Sequence, residues 1–188
     1  MPSIWQRGKK ASATNERGGR YAANKVVDRS AKTYWATEDS VIQASVTIDF
    51  GEPTAFNRFL VQEYISLGQR VKSFTVEAKT ENGWKVIATE TTIGYKRILR
   101  LDDVTAKAVR LNIVDAKACP TISNIEIYRA PTLLVPPVIS RSRAGTVSFT
   151  TPAKGIDIFY TLDGSAPTTA STKYEAPFQQ NDPAQVQA

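Results

Sequence analysis

The sequence predicts an all-β protein: an antiparallel β-sandwich followed by a second, smaller β-sandwich. Three observations predict this class. From residue 44 onward apolar and polar side chains alternate with period two, extended segments recur roughly every ten to fifteen residues, and no segment keeps a helical period for more than a turn or two. Short strands separated by turn signals are typical of antiparallel sandwiches and barrels.

The strands can be placed in order along the chain. ASVTIDF (44–50) alternates as a half-buried strand, and the following GEP (51–53) ends it. FNRFLVQEY is apolar on both faces, as expected for a strand covered on two sides. SFTVEAK and KVIATE predict a hairpin, because Asn82-Gly83 supplies the positive φ angles of a tight turn. The segments YKRILRL, AVRLNIV and ISNIEIY complete the series.

The composition changes near residue 130. RAPTLLVPPVIS carries Pro131, Pro136 and Pro137, each of which favours extended geometry in the residue before it. Beyond it, TVSFTT, IDIFYTLDGSAPT and KYEAPF predict short strands with a turn at Asp163-Gly164. The sequence therefore predicts a first domain at 1–130, a proline-rich connector at 131–137 and a small immunoglobulin-like β domain at 138–188. NDPAQVQA still has strand character, which predicts a truncated domain of a longer parent.

The composition excludes several kinds of chemistry. The chain has no histidine, which excludes histidine acid/base catalysis and histidine metal ligation, and Cys119 has no cysteine partner within the chain. The net charge of +6 is spread over scattered positions, so no nucleic-acid partner is expected. No apolar run is long enough to span a bilayer, and MPSIWQRGKK does not resemble a secretory signal.

The order of three motifs resembles a known fold. A D-x-x-x-x-T-x-W segment (28–35), a strand ending in DFG (49–51) and the terminal ISNIEIY are similar to the discoidin, or coagulation-factor type C, domain, whose bacterial sugar-binding members are the family 32 carbohydrate-binding modules. The similarity covers roughly residues 10 to 130. It implies a jelly-roll β-sandwich of the galactose-binding-domain-like class.

Longer segments resemble parts of glycosidases. FNRFLVQEYISLGQRVKSF, TTIGYKRILR and DAKACPTISNI look like the carboxy-terminal module of bacterial α-L-fucosidases of glycoside hydrolase family 29. Residues 131 to 188 resemble the small domain that ends bacterial chitobiases and hexosaminidases. The resemblance implies a non-catalytic region of a parent enzyme that is an α-L-fucosidase, acting outside the cytoplasm (periplasmic, surface-bound or secreted), with the catalytic domain and glycans bearing terminal galactose or fucose as partners.

The resemblance also implies a structural Ca²⁺ in the first polar loop, KVVDRSAKTYWAT (25–37). Carried over position by position, its ligands would be the Asp28 carboxylate, the Thr33 hydroxyl, two main-chain oxygens and a pair from the last strand; the full set is Lys25, Asp28, Ser30, Thr33, Ser123 and Asn124. Arg29 stands where the family usually has glycine, and Asn124 where many members have glutamate. The alternative is that Asp28 and Thr33 cap a turn by hydrogen bonds to the backbone.

Residues suited to sugar binding cluster in the loops that follow strands. A sugar requires a flat apolar partner for its C–H face and multivalent donors and acceptors for its hydroxyls. Trp35 and Trp84 are expected to pack structurally, Trp35 at the end of the sandwich core. The candidates for sugar contacts are Glu63, Tyr64, Gln69, Arg70, Tyr95, Lys96 and Arg97; the alternative is that charged members such as Arg70 and Lys96 are solvated and paired with nearby acids.

Three functions are compatible with the sequence. The first is a carbohydrate-binding accessory region, and the second is a structural module that packs on a catalytic domain and shapes its active-site rim. The third is catalysis by this chain, which the sequence disfavours because glycosidases need two facing carboxylates and Asp102-Asp103 should point to opposite sides of a strand or lie in a turn. Membrane insertion is not expected, because ISLGQR offers only Ile65 and Leu67 as apolar tip residues.

Overall fold

The chain divides into two compact units, Met1–Pro131 and Thr132–Ala188. The computed structural model describes residues 9–131, 134–153 and 155–188. Part of the predicted first domain (1–8) and part of the predicted connector (132–133) lie outside these ranges. The described residues contain no helix long and apolar enough to cross a membrane.

The first unit is an antiparallel sheet that doubles over into two layers. Its strands are β1 (Lys10–Ala13), β2 (Trp35–Ala36), β3 (Ala44–Glu63), β4 (Val71–Thr80), β5 (Gly83–Glu90), β6 (Arg97–Ala116) and β7 (Thr121–Tyr128), and short 3₁₀ turns lie at Gly19–Tyr21, Ala23–Val26 and Ile65–Leu67. The hydrogen-bonded order is β2-β7-β3-β6-β4-β5, with β1 on the free edge of β3. The predicted all-β class is therefore confirmed.

Two long strands, β3 and β6, belong to both layers. In one layer the first part of β3 pairs with the last part of β6. β1 is added beside β3, and β4 and then β5 are added beside β6. In the other layer the remaining parts of β3 and β6 pair with each other, and β7 and then β2 are added beside β3. The expectation that β3 ends at GEP is wrong: the strand runs through these residues, with a register shift between Asp49 and Thr54 and a φ of 80° at Gly51. A glycine with positive φ bends a strand without ending it.

The β4–β5 hairpin forms as predicted, but with a different turn. Thr80 pairs with Gly83, so Glu81 and Asn82 make the turn. Gly83 has φ 97°. Glu81 and Asn82 do not have positive φ, because Arg29 is the one non-glycine residue of the described chain that does. The turn is therefore of the kind that ends in a glycine bulge, in which a single left-handed residue follows two right-handed ones.

The core fills the space between the two layers. One layer contributes Ile48, Val76 and Leu111, and the other contributes Phe59 and Ile125, all within 1% of complete burial. Trp35 is fully buried at one end, where its indole N–H donates to the carbonyl of Asn15 at 3.0 Å. The apolar face of each strand thus meets that of the opposite layer, and Trp35 has the packing role that the sequence favoured.

The second unit is built of short strands around an aromatic cluster. A three-stranded sheet joins β8 (Val138–Arg141), β9 (Thr146–Thr150) and β12 (Phe178–Gln179), and a two-stranded sheet joins β10 (Phe159–Tyr160) and β11 (Thr172–Lys173). Phe149 is surrounded by Tyr160, Tyr174 and Phe178, with ring centroids 4.7–6.1 Å away. Aromatic rings thus pack together in a unit too small for a deep core.

Replacing Trp35 by alanine should destabilise the first unit far more than the same change at Trp84. A buried Trp-to-Ala change leaves a cavity that costs about 3–5 kcal/mol, whereas Trp84 is 38% exposed and its loss should cost no more than about 1 kcal/mol. Urea unfolding of both variants measures the difference. Equal losses would contradict the assignment of Trp35 to the core.

Candidate functional site

The candidate site is organised around the buried carboxylate of Glu63. This side chain lies at the end of β3 and is 2% exposed. Its Oε1 accepts hydrogen bonds from the backbone N–H groups of Arg70 at 2.7 Å and Val71 at 2.9 Å, and its Oε2 accepts one from Gly94 at 2.9 Å. One carboxylate therefore fixes the end of the 64–70 loop and the bend of the 91–96 loop together.

The 91–96 loop presents an exposed tyrosine. Tyr95 is 66% exposed and follows Gly94, whose φ of 70° turns the chain. The Nζ of Lys96 lies 5.9 Å from the Tyr95 ring centroid. Arg97 donates to the carbonyl of Thr92 at 2.8 Å and forms an ion pair with Glu90. Arg97 therefore braces the loop, while Tyr95 and Lys96 face solvent.

The 64–70 loop contributes a second set of groups beside it. Tyr64 is half-buried, and its ring stacks on Tyr34 with 4.4 Å between centroids. The side chain of Gln69 lies close to Gly94 in the 91–96 loop. A methyl group added to Gly94 would be 3.8 Å from the side-chain oxygen of Gln69. Arg70 donates from Nη1 to the carbonyl and the Sγ of Cys119, at 2.9 and 2.8 Å. The loops thus meet at one end of the sandwich.

The structure adds residues that sequence reasoning missed. Tyr21 packs on Tyr34 at 5.0 Å between centroids, so Tyr21, Tyr34 and Tyr64 form a row of three rings. Burial raises the pKa of the Tyr34 hydroxyl, and a hydrogen bond with Tyr21 raises it further. A single sequence gives no signal for this row, because the rings come from three separate segments of the chain.

Cys119 lies in a polar setting. Its thiol is buried, yet it accepts hydrogen bonds from Arg70 and, at 3.2 Å, from Nη2 of Arg17. Arg17 also forms an ion pair with Asp39. The cysteine therefore joins the segment around Arg17 to the 64–70 loop.

The predicted sugar-contact residues thus come together, but in different roles. Glu63 is enclosed by backbone donors, and Arg70 and Arg97 hold neighbouring segments in place. Tyr95, Lys96 and Gln69 are exposed to solvent, and Tyr64 is half-buried at the row of rings. The arrangement favours direct contact by the exposed residues and a supporting role for Glu63.

Three of the predicted metal ligands lie together in the first polar loop. The Asp28 carboxylate accepts hydrogen bonds from the Ser30 backbone N–H at 2.9 Å and from the Thr33 hydroxyl at 2.7 Å. The Thr33 hydroxyl also lies 3.2 Å from the main-chain oxygen of Ser30. Arg29 has φ 62°, a left-handed conformation that glycine adopts without strain, which explains why its position suits glycine. Lys25 lies in the preceding 3₁₀ turn.

The other two predicted ligands lie on β7. Ser123 donates to the carbonyl of Gln62 at 3.4 Å, and the Asn124 amide donates to the side chains of Gln62 and Glu126, both at 2.9 Å. The Oδ1 of Asn124 is buried without a hydrogen-bond partner. Trp35 pairs with Ile122, and continuing this antiparallel register by two residues brings Thr33 opposite Asn124. An unsatisfied oxygen thus lies on the strand beside the loop.

The predicted ligands are oxygen donors that carry little charge. Among the described residues no group of three or more His, Cys, Asp or Glu side chains is placed to hold a metal. Any ion here would depend on Asp28 for charge and on hydroxyl, amide and main-chain oxygens for the remaining ligands, a donor type that Ca²⁺ accepts.

Comparison with known families gives matches over both units. The F5/8 type C domain family matches residues 10–127, and the chitobiase/beta-hexosaminidase C-terminal domain family matches residues 140–188. Alpha-L-fucosidase 1 of Arabidopsis thaliana is 30% identical over 121 residues, which are 63% of this chain and 24% of that protein. The chain therefore spans about a quarter of this curated relative.

Solved structures give matches to the first unit. A GH29 fucosidase from Ruminococcus gnavus, solved in complex with fucose, is 28% identical with a TM-score of 0.63 over 69% of this chain and 27% of that chain. The family 32 carbohydrate-binding module of C. perfringens NanJ, solved in complex with galactose, is 16% identical with a TM-score of 0.61 over 69% of this chain and all of the module. The second likeness concerns the fold alone.

Replacing Glu63 by glutamine should loosen both loops. The amide keeps the shape of the side chain but turns an N–H₂ donor towards backbone N–H groups. We therefore expect the free energy of unfolding to fall by about 1.5–3 kcal/mol. Unfolding in urea measures the loss, and hydrogen exchange at the amides of Val71 and Gly94 should accelerate. Glu81→Gln, on the exposed β4–β5 turn, is the control; similar behaviour of the two variants would contradict the anchoring role.

Proposed function

The chain belongs to the F5/8 type C domain family through residues 10–127, and we propose that it is a non-catalytic carbohydrate-binding region of an α-L-fucosidase. The proposed ligands are glycans that end in galactose or fucose. The proposed partner is the catalytic domain of the same polypeptide. This assignment accords with the relatives, of which the chain spans about a quarter.

The observation that carries the proposal is the exposed Tyr95 ring on an anchored loop. Its two-thirds exposure leaves an aromatic face for the C–H surface of a pyranose. Lys96 and Gln69 can exchange hydrogen bonds with hydroxyls at the ring edge. Because Glu63 fixes the loop beforehand, less conformational entropy is lost when a sugar binds.

The acidic residues support a binding role without bond cleavage. Asp102 and Asp103 are consecutive residues of β6, so their side chains point to opposite sides of the strand. Asp103 accepts hydrogen bonds from Asn57 at 3.0 Å and from Arg129 at 3.2 Å. A glycosidase needs its two carboxyl groups to face one sugar from about 5 to 9.5 Å apart. The proposed activity therefore resides in the parent's catalytic domain.

The expected benefit of the region is local concentration. A shallow site buries little of a small polar ligand, so the affinity of a single site should be weak. A tether to a catalytic domain converts each binding event into a high effective concentration of substrate. Glycans of this kind lie mainly outside cells, so we propose an extracytoplasmic location for the parent.

A structural role is the second candidate function. Ile65 and Leu67 are 40% and 44% exposed at the tip of the 64–70 loop. Apolar tip residues would suit packing against a catalytic domain and shaping the rim of its active site. This alternative predicts that the isolated chain binds no glycan.

We also propose a structural Ca²⁺ at the first polar loop. Two observations support this proposal. The oxygens of Asp28, Ser30 and Thr33 lie together in the loop, and Oδ1 of Asn124 is buried without a hydrogen-bond partner. Lys25 and Ser123 would complete the set. A bound ion would join the first loop to β7, beside the row of tyrosine rings. The hydrogen bonds of Asp28 also support the alternative, a loop held by its own turn.

Replacing Tyr95 by alanine should weaken glycan binding without unfolding the chain. An aromatic contact is worth about 0.5–1.5 kcal/mol, so we expect a loss of about two- to tenfold in affinity. The measurement is a screen of the full chain against galactose- and fucose-terminated glycans, followed by calorimetry on any hit. Tyr95→Phe, which keeps the ring, is the matched control.

Three results of this screen separate the functions. Loss of binding in Tyr95→Ala and retention in Tyr95→Phe support the proposed site. Equal affinities of wild type and Tyr95→Ala would place the sugar elsewhere. Absence of binding to every glycan would favour the structural alternative.

Removal of divalent ions by a chelator should lower the melting temperature if the loop holds Ca²⁺. An ion present at 100 times its Kd stabilises the native state by about 2.7 kcal/mol. Asp28→Asn keeps an acceptor for the Ser30 N–H, and its amide can donate to the Thr33 hydroxyl, but it removes the charge. This variant should therefore melt lower and respond less to the chelator. If wild type melts identically with and without chelator, the ion proposal fails and the turn alone explains the loop.

A further inference from the structure

A second set of polar and aromatic side chains lies on the outer face of the other layer. In β4, Phe74, Val76 and Ala78 are buried, so Thr75, Glu77 and Lys79 face outward. In the register of the sheet, Glu77 lies opposite Arg110, Thr75 opposite Asn112, and Lys79 opposite Trp84. We call the outward-facing set of Trp84, Arg110, Glu77, Asn112 and Thr75 the Trp84 band.

Direct contacts hold the Trp84 band in order. The Arg110 guanidinium lies 4.2 Å from the centroid of the Trp84 ring. Its Nε donates to Glu77 at 2.6 Å and its Nη2 forms an ion pair with the same carboxylate. The Asn112 amide donates to the Thr75 hydroxyl at 3.2 Å. The groups are thus ordered before any ligand arrives, which reduces the entropy lost on binding.

The charges within the band neutralise each other. Burial alone would raise the pKa of Glu77, but hydrogen bonds from Asn112 and Arg110 and the positive charge of Arg110 together lower it. The carboxylate therefore stays ionised beside the guanidinium. Paired charges of this kind favour a neutral ligand over a polyanion.

The tryptophan leaves an open aromatic surface at the edge of the band. Trp84 is 38% exposed while one face of its ring is covered by Arg110. Trp84 lies opposite Lys79, which lines a cleft of about 350 Å³. The lining of this cleft also includes Asn82, Thr105 and Lys107. An indole face beside amide, hydroxyl and ammonium groups matches the C–H face and the hydroxyls of a sugar ring.

We propose that the Trp84 band and the adjoining cleft form a second saccharide-binding surface, which accepts a neutral, extended glycan chain. The inference rests on the proposed function, because it makes a carbohydrate-binding region bivalent. Lys79 is eight residues beyond Val71 along β4, which places Trp84 about 25 Å from the Glu63 loops at roughly 3.3 Å per residue. Two sites on one rigid frame would raise the avidity for a polymer without raising the affinity for a monosaccharide.

The test follows both sites at once by NMR. The full chain, labelled with ¹⁵N, is titrated with free galactose and with a panel of neutral oligosaccharides that includes a galactosylated xyloglucan fragment. The Trp84 indole signal, identified by its absence in Trp84→Phe, and the Asn112 side-chain signal report on the band. The amide of Gly94 reports on the loop site.

We expect saturable shifts of the band signals when an oligosaccharide is added. In Trp84→Ala the affinity for that oligosaccharide should fall about two- to tenfold. Galactose binding at the loops should be unchanged in Trp84→Ala, and Tyr95→Ala should show the reverse pattern. Asn112→Ala, which leaves Trp84 and Arg110 in place, supplies a second variant should Trp84→Ala fold poorly.

The possible failures are distinguishable. Stationary Trp84 and Asn112 signals together with a moving Gly94 signal would overturn the second surface and leave the proposed function intact. Movement of the band signals alone would support the second surface and overturn the Tyr95 site. If neither region responds to any glycan of the panel, both proposals fail.

Discussion

The architecture of the candidate site depends on one buried carboxylate. Glu63 satisfies three backbone N–H groups, two at the end of the 64–70 loop and one in the 91–96 loop. Buried backbone donors need partners, and a carboxylate accepts hydrogen bonds more strongly than a neutral oxygen. Because both loops end on the same side chain, their exposed tips have a fixed separation. Tyr95 can therefore be solvent-exposed without being loosely held.

The long strands extend this order through the rest of the unit. β3 ends at Glu63 and β6 begins at Arg97, and each runs through both layers of the sandwich. The bend at Gly51 lets β3 change layers while the chain stays paired. The Glu63 loops and the Trp84 band are thus parts of a single hydrogen-bonded frame. Such a frame sets the distance between two surfaces more firmly than a flexible linker could.

Much of the fold could be predicted because its signals are local. The alternation in ASVTIDF and SFTVEAK identifies which side chains enter the core, and Asn82-Gly83 marks the hairpin. The continuity of β3 through Gly51-Glu52-Pro53 could not be predicted, because the same residues can end a strand or bend it. The neighbouring strands decide between these outcomes by supplying hydrogen-bond partners on both sides of the bend.

The sequence picked out the candidate residues, whereas their roles follow from the structure. The sequence by itself determined the absence of histidine chemistry, the alternation of the strands, and the occurrence of Tyr, Arg, Gln and Glu near the ends of predicted strands. Only the tertiary structure decided that Glu63 is enclosed, that Arg70 and Arg17 meet at Cys119, and that Tyr21, Tyr34 and Tyr64 share a row. The physical reason is that a side chain's role depends on its neighbours in space. Those neighbours come from distant segments, and only the folded sheet brings them together.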